Sequence, residues 1–164
     1  MPAPYGALRG HVAQSNPIWQ DFEPDKEVLA IFHGPEAYIS PSWYATKKES
    51  GKVVPTWNYA VVHAYGTLRI VEDAGWIRDQ LESLTNNSEA SFAEPWTLND
   101  APKDFTEKLI GTIVGIEIEI TRLSGKWKAS QNQPLENQLG VIQGLISIGE
   151  AEMAALVGAG INHA

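Results

Sequence analysis

Residues 56–71 carry the plainest pattern in the chain. Trp57, Tyr59, Val61, His63 and Tyr65 fall on one side of an extended strand; Asn58, Ala60, Val62, Ala64 and Gly66 fall on the other. One face is bulky and the other small, which suits a barrel wall with something packed close against the small side. Alternation returns over 113–123, with Ile116, Ile118 and Ile120 opposite Glu117, Glu119 and Thr121, the pattern of a strand with one wet face. Residues 7–13 predict a short strand that Asn16-Pro17 ends. Two further apolar runs, 27–33 and 36–40, are punctuated by Gly34-Pro35 and predict antiparallel strands around a tight turn. The period becomes helical over 72–84, where Trp76, Ile77, Leu81 and Leu84 recur between acids at the start and Asn86-Asn87 at the end. Pro102 opens a short helix in PKDFTEKLI. Residues 135–148 and 150–157 also read as helical, with Gly158 and Gly160 loosening the end, while 91–99 is irregular. No repeat or Pro/Ser-rich linker interrupts the chain. The expectation is one α+β domain over residues 1–164, built on an antiparallel sheet or barrel with peripheral helices.

Composition narrows the partners. The 164 residues are 43% hydrophobic and 20% charged, as in a globular domain with a substantial core. Net charge is −8, which disfavours tight non-specific binding to a phosphate backbone. The basic residues cluster weakly, at Lys47, Lys48 and Lys52 and again at Arg122, Lys126 and Lys128. No cysteine is present, so disulfides, thiolate catalysis and zinc–thiolate sites are excluded. The first residues lack the charged and apolar regions of a signal peptide, and no apolar run reaches membrane-spanning length. The reading is a cytoplasmic protein without membrane contact.

Candidate chemistry concentrates in a few places. Residues 34–66 hold Trp43, Trp57 and four of the five tyrosines beside Ser, Asn and His. Such a surface holds a flat ligand or a partner subunit, or else forms an aromatic β-core. His11 sits late in a strand, followed by Ser15 and Asn16 at its ending turn. Those groups can hold a phosphate or make an ordinary Asx turn. His63, on the bulky face of its strand, reads as a hydrogen-bonded core histidine. Residues 126–132 (KWKASQN) set two lysines around a tryptophan ahead of Ser130, Gln131 and Asn132. They read either as a contact for a phosphate, a flavin edge or a nucleic-acid strand, or as a solvated turn before a helix. The dinucleotide fingerprint, the P-loop, H-E-x-x-H and G-x-S-x-G are all missing. The four histidines have no ligand spacing, so no metal is expected.

Five blocks carry a resemblance: RGHVAQSNPIW (9–19), FHGPEAYISPSWY (32–44), VPTWNYAVVHAYG (54–66), IVGIEIEITRLSGKWKASQNQP (113–134) and GVIQGL (140–145). In order, and over nearly the whole chain, they resemble the PaiB family of bacterial FMN-binding negative transcriptional regulators. The resemblance implies an antiparallel split β-barrel like that of pyridoxamine-phosphate oxidase, a homodimer, and FMN in a cleft at the dimer interface. By that likeness His11, Ser15 and Asn16 lie towards the flavin and its phosphate. Trp43, Tyr44, Trp57 and Asn58 lie along the interface groove, and Ser130, Gln131 and Asn132 approach from the C-terminal segment. Two departures stand out. Members of the family carry a further N-terminal portion ahead of the block at Arg9, so the first strands of the barrel are expected to be missing here. The family motif K-L-S-Q-N-R reads K-A-S-Q-N-Q at 128–133, without the arginine that would bind a phosphate in bidentate fashion.

Three functional readings follow. One is an FMN-binding homodimeric repressor of transcription that acts on DNA directly or through a partner, the direct version finding no support in charge, helix-turn-helix pattern or basic stripe. Another is a flavin-dependent oxidoreductase using NAD(P)H, with the cofactor carrying the chemistry and His11 and His63 as the neutral-pH candidates. The last is a family member that keeps only the dimer scaffold.

Overall fold

In the computed structural model, which describes residues 5–23 and 26–161, the strand signalled by the alternating 56–71 pattern is β3, Thr56–Val71. It lies inside a four-stranded antiparallel sheet with β1 (Ala7–Ala13), β2 (Glu27–Ile39) and β4 (Ile113–Lys128), in the order β1-β4-β3-β2. The register of β1 on β4 runs from Ala7 opposite Glu119 to Ala13 opposite Ile113. Six helices complete the described residues: α1 (Ile18–Asp21), α2 (Lys47–Ser50), α3 (Ala74–Glu89), α4 (Lys103–Ile110), α5 (Leu135–Ser147) and α6 (Ala151–Ile161).

The small face of β3 does what its side chains allow. Asn58 and Ala64 are buried, and Ala60 meets Gly34 of β2. A Cβ on Gly66 would run into the carbonyl of Glu119, so only glycine permits that approach to β4. Val62 departs from the pattern and is exposed.

Four expectations are corrected. The stretch 27–40 is one strand, not a hairpin at Gly34-Pro35. Gly34 is not among the positive-φ glycines, and β2 is an edge strand, where a residue without N–H is tolerated. Strand β4 continues past residue 123 to Lys128, so the Lys126–Trp127–Lys128 run is strand rather than turn. Helix α3 starts behind the Asp73 side chain, which accepts the Trp76 N–H, and passes through Asn86-Asn87 to Glu89. Helix α6 likewise runs through Gly158 and Gly160 to Ile161.

The chain divides into two compact units, one from Met1–Leu29 and Ala64–Leu123, the other from Ala30–His63 and Ser124–Ala164. In the first, α3 lies against β1 and α4, and Gly115 leaves room for the Trp76 indole. Buried Glu117 accepts from Arg9 at 2.7 Å and from Arg69 at 2.6 Å, which holds its carboxyl below the usual range against the opposing effect of burial. In the second, α5 and α6 pack together over Ala37, Ile39, Tyr44 and Ala129, around Val141, Leu145, Met153 and Val157. Trp43 is wedged against α5 at Gly140 and Gly144, where any Cβ would collide with it.

Candidate cofactor site

The second unit holds a cavity of about 210 Å³ lined by Tyr44, Val54, Thr56, Asn58, Lys128, Ser130, Asn132 and Gln133. Strand β3 supplies Thr56 and Asn58 from its first turn of alternation, and β4 delivers Lys128 as its last residue. The chain then turns sharply. Gln133 N–H closes onto the Ser130 carbonyl, and Ser130 adopts φ of 60°, the only non-glycine residue with positive φ among those described. Gln131 fastens this turn by donating to the Trp127 carbonyl and accepting from the Ala129 N–H, both at 2.7 Å. Asn137 of α5 secures it from behind through Gln133 and Thr46.

Two side chains are buried at the cavity wall. Asn58 is 1% exposed and Ser130 5%, and Asn58 Nδ2 donates to Ser130 Oγ at 2.9 Å. Asn58 Oδ1 is buried and has no hydrogen-bond partner among the described residues. Lys128 Nζ donates to Thr56 Oγ1. Burial raises the Tyr44 phenol, so it stays neutral at physiological pH. The result is a donor-rich recess with one cation and no carboxylate in its lining.

Of the ten site residues the sequence singles out, the structure brings Tyr44, Asn58, Ser130 and Asn132 to this cavity. Gln131 is adjacent, but its amide is spent on the turn. Trp43 packs under α5, and Trp57 stands 54% exposed beside Tyr38, the two rings edge-on with centroids 6.1 Å apart. His11, Ser15 and Asn16 belong to the other unit. There His11 Nδ1 meets Gln80 Oε1 at 2.9 Å, Ser15 is exposed, and Asn16 Oδ1 accepts the Ile18 N–H at 3.0 Å in an Asx turn. Sequence reasoning missed Thr56 and Gln133. Thr56 opens a strand and gave no signal; the basic run at 126–128 was visible, but not that its second lysine ends a strand at a cavity. Among the described residues, no group of His, Asp and Glu is placed to hold a metal ion. No helix among them is long and apolar enough to cross a membrane.

The family described as "Putative FMN-binding domain" matches residues 2–122. The chain belongs to that FMN-binding domain family. An uncharacterized protein of Emericella nidulans is 39% identical over 170 residues, which span 88% of this chain and 68% of that protein. The Bacillus subtilis protein called protease synthase and sporulation protein PAI 2 is 33% identical over 138 residues, 84% of this chain and 64% of its own. The PaiB resemblance of the sequence therefore stands. Among solved structures, the flavocytochrome Anf3 of Azotobacter vinelandii aligns with a TM-score of 0.50 at 11% identity, over 74% of this chain and 50% of that one. The FAD and heme binding protein of Mycobacterium smegmatis aligns with a TM-score of 0.51 at 13% identity, over 74% and 53%. At such identities the likeness shows the fold, which is that of the antiparallel split barrel. The chain spans about two thirds of these sequence relatives and about half of these structures.

Membership in the family makes FMN the cofactor of this chain. The residues present fit one end of it. A cavity near 210 Å³ is below the roughly 300–1,000 Å³ of a complete small-molecule site, so it admits part of a mononucleotide. Its hydroxyls, lysine and carboxamides match the acceptor oxygens that an FMN molecule carries.

Proposed function

We propose that the protein is an FMN-binding split-barrel regulator of the PaiB type, a cytoplasmic homodimer whose regulatory output passes through a partner rather than through direct contact with DNA. The observation that carries this reading is the donor-rich, carboxylate-free recess of Thr56, Asn58, Lys128 and Ser130 in a chain of the FMN-binding family. FMN supplies one- and two-electron transfer when bound. The chain's own residues bind and orient it. Thr56 and Lys128 are tied together, Asn58 pins Ser130, and Gln131 fixes the turn that presents them. The dimer is supported by Tyr38 and Trp57, large aromatic groups left open on the sheet at 46% and 54% exposure. The charge of −8 speaks against a duplex as the direct partner.

Titration of the purified protein with FMN, followed by quenching of flavin fluorescence, tests the cofactor assignment. Saturable binding is expected, and a protein that takes up no FMN removes the proposal. The same sample with NADH reads out the oxidoreductase alternative, which predicts bleaching of the flavin band at catalytic rates. A regulator predicts none.

A further inference from the structure

The match to the family model ends at residue 122, and the PaiB resemblance brings Ser130 and Asn132 towards the flavin without saying which part of it they meet. Their surroundings say which. Three cavities of the first unit set carboxylates beside their cations or have no cation. Arg78 shares one with Glu72 and Glu107, Arg9 shares another with Asp79, and the apolar one around Trp96 and Phe105 has neither. The recess at Lys128 has a cation alone. The same division holds for whole units. The first unit carries fifteen acidic against seven basic residues, the second five against five, so the net charge of −8 resides in the first. A dianion is least repelled in the second.

The hydrogen bonds there leave donors over. Lys128 spends one N–H on Thr56 Oγ1 and keeps two. Thr56, accepting that bond, keeps its hydroxyl proton. Ser130 Oγ accepts from Asn58 Nδ2, and its own proton has no acceptor among the described residues. Ser130 is also held at φ of 60° while buried, a conformation that costs energy in a non-glycine residue and marks sites where geometry serves a ligand.

Resting on the FMN reading above, we propose that this recess takes the phosphate of FMN, with Lys128, Thr56 and Ser130 as its donors and Asn58 as the residue that positions the Ser130 hydroxyl. A phosphate ester offers acceptor oxygens and a charge near −2, which these donors complement. With glutamine at 133, where the K-L-S-Q-N-R motif has arginine, Lys128 is the one cation left in the lining of the recess.

The test compares FMN with riboflavin on the full chain, with inorganic phosphate as competitor. FMN is expected to bind at least about ten-fold tighter than riboflavin, and phosphate to compete with FMN only. Lys128→Met should erase the preference while leaving riboflavin affinity unchanged. Asn58→Ala should weaken FMN alone and shift the phosphorus NMR line of the bound cofactor; a merely structural role would weaken both flavins together. Equal binding of FMN and riboflavin by the unaltered protein, or a preference that survives Lys128→Met, overturns the phosphate assignment while FMN binding stands. Binding of neither flavin overturns the FMN reading and the assignment with it. Equal binding of the two flavins by the unaltered protein overturns the assignment even if a variant fails to fold, and Thr56→Val, which removes one donor and keeps the cation, locates the site if Lys128→Met does not fold.

Discussion

Ser130 and Glu117 show how much a single buried polar group can depend on its partners. Ser130 has a strained backbone and is the one partner of the Asn58 amide among the described residues. Ser130→Ala keeps the strain and leaves both ends of that amide unpaired, so it is expected to lower unfolding stability by about 1–3 kcal/mol, read by urea denaturation. Ser130→Gly loses the same bond but relieves the backbone, and should be the milder variant of the two. If the alanine variant is the more stable of the two, the backbone strain has been misjudged, and if neither differs from the parent, the bond has. Glu117 differs because its effect depends on pH. The hydrogen bond from Arg69 is the largest influence, burial opposes it, and Arg9 adds to it, so the folded carboxyl titrates below its unfolded value. A depressed carboxyl stabilises the fold at pH above the unfolded value, near 4.3, and that contribution is lost as pH falls through the folded one. Glu117→Gln should cost about 2 kcal/mol at neutral pH, less than a fully buried pair because Arg9 and Arg69 are half exposed and can rehydrate. The gap between variant and parent should close as the pH is taken below 4.3; a gap that is constant with pH would show that the carboxylate charge is not what matters.

At the scale of elements, packing is set by where side chains are absent. Helix α5 carries Gly140 and Gly144 one turn apart, and the Trp43 carbonyl and indole occupy the space their Cβ atoms would need. Gly144→Ala gains helix propensity but forces Trp43 aside, and a net loss of about 2–3 kcal/mol is expected in thermal or denaturant unfolding. A stabilised variant would mean that Trp43 moves freely. This contact also explains what the sequence could and could not reveal. Strand β3 was legible because its alternation survives without tertiary knowledge, and β1 and α4 because prolines mark where a strand ends and a helix begins. The GVIQGL block was legible as part of a helix, but nothing local says that an indole from the 41–43 turn occupies the space beside its glycines. Gly34-Pro35 looked like a turn because those residues usually make one; their place on an edge strand is a property of the sheet, not of the dipeptide. The site was half legible. Ser130, Gln131 and Asn132 were picked out as a polar cluster, yet Gln131 folds back onto its own turn. The Asn58–Ser130 bond joins residues 72 apart, which no spacing rule reaches.

For the whole molecule, the questions are what the charge and the open aromatic surface do. With fifteen acidic residues against seven basic ones, the first unit repels a phosphate backbone, and the second has no excess of cations to offset it. No electrophoretic shift of duplex DNA is therefore expected at micromolar protein and moderate salt, and a clear shift would restore direct repression. The open aromatic surface bears on assembly. Tyr38 and Trp57 touch each other edge to face and are still about half exposed, as are Phe32 and Trp127 in the same unit. Large aromatic groups at that exposure are the composition of an interface core, because burying them recovers apolar area at little cost in side-chain entropy. A pair of copies joined there should run at twice the 18.0 kDa of one chain in size-exclusion chromatography with light scattering. Trp57→Glu would set a carboxylate inside the contact and should shift the mass to 18.0 kDa at the same concentration, with the circular dichroism of the fold retained because the side chain is exposed in the single chain. A parent protein that already runs as one chain at tens of micromolar, or a Trp57→Glu variant that stays paired, would place the contact elsewhere or remove it.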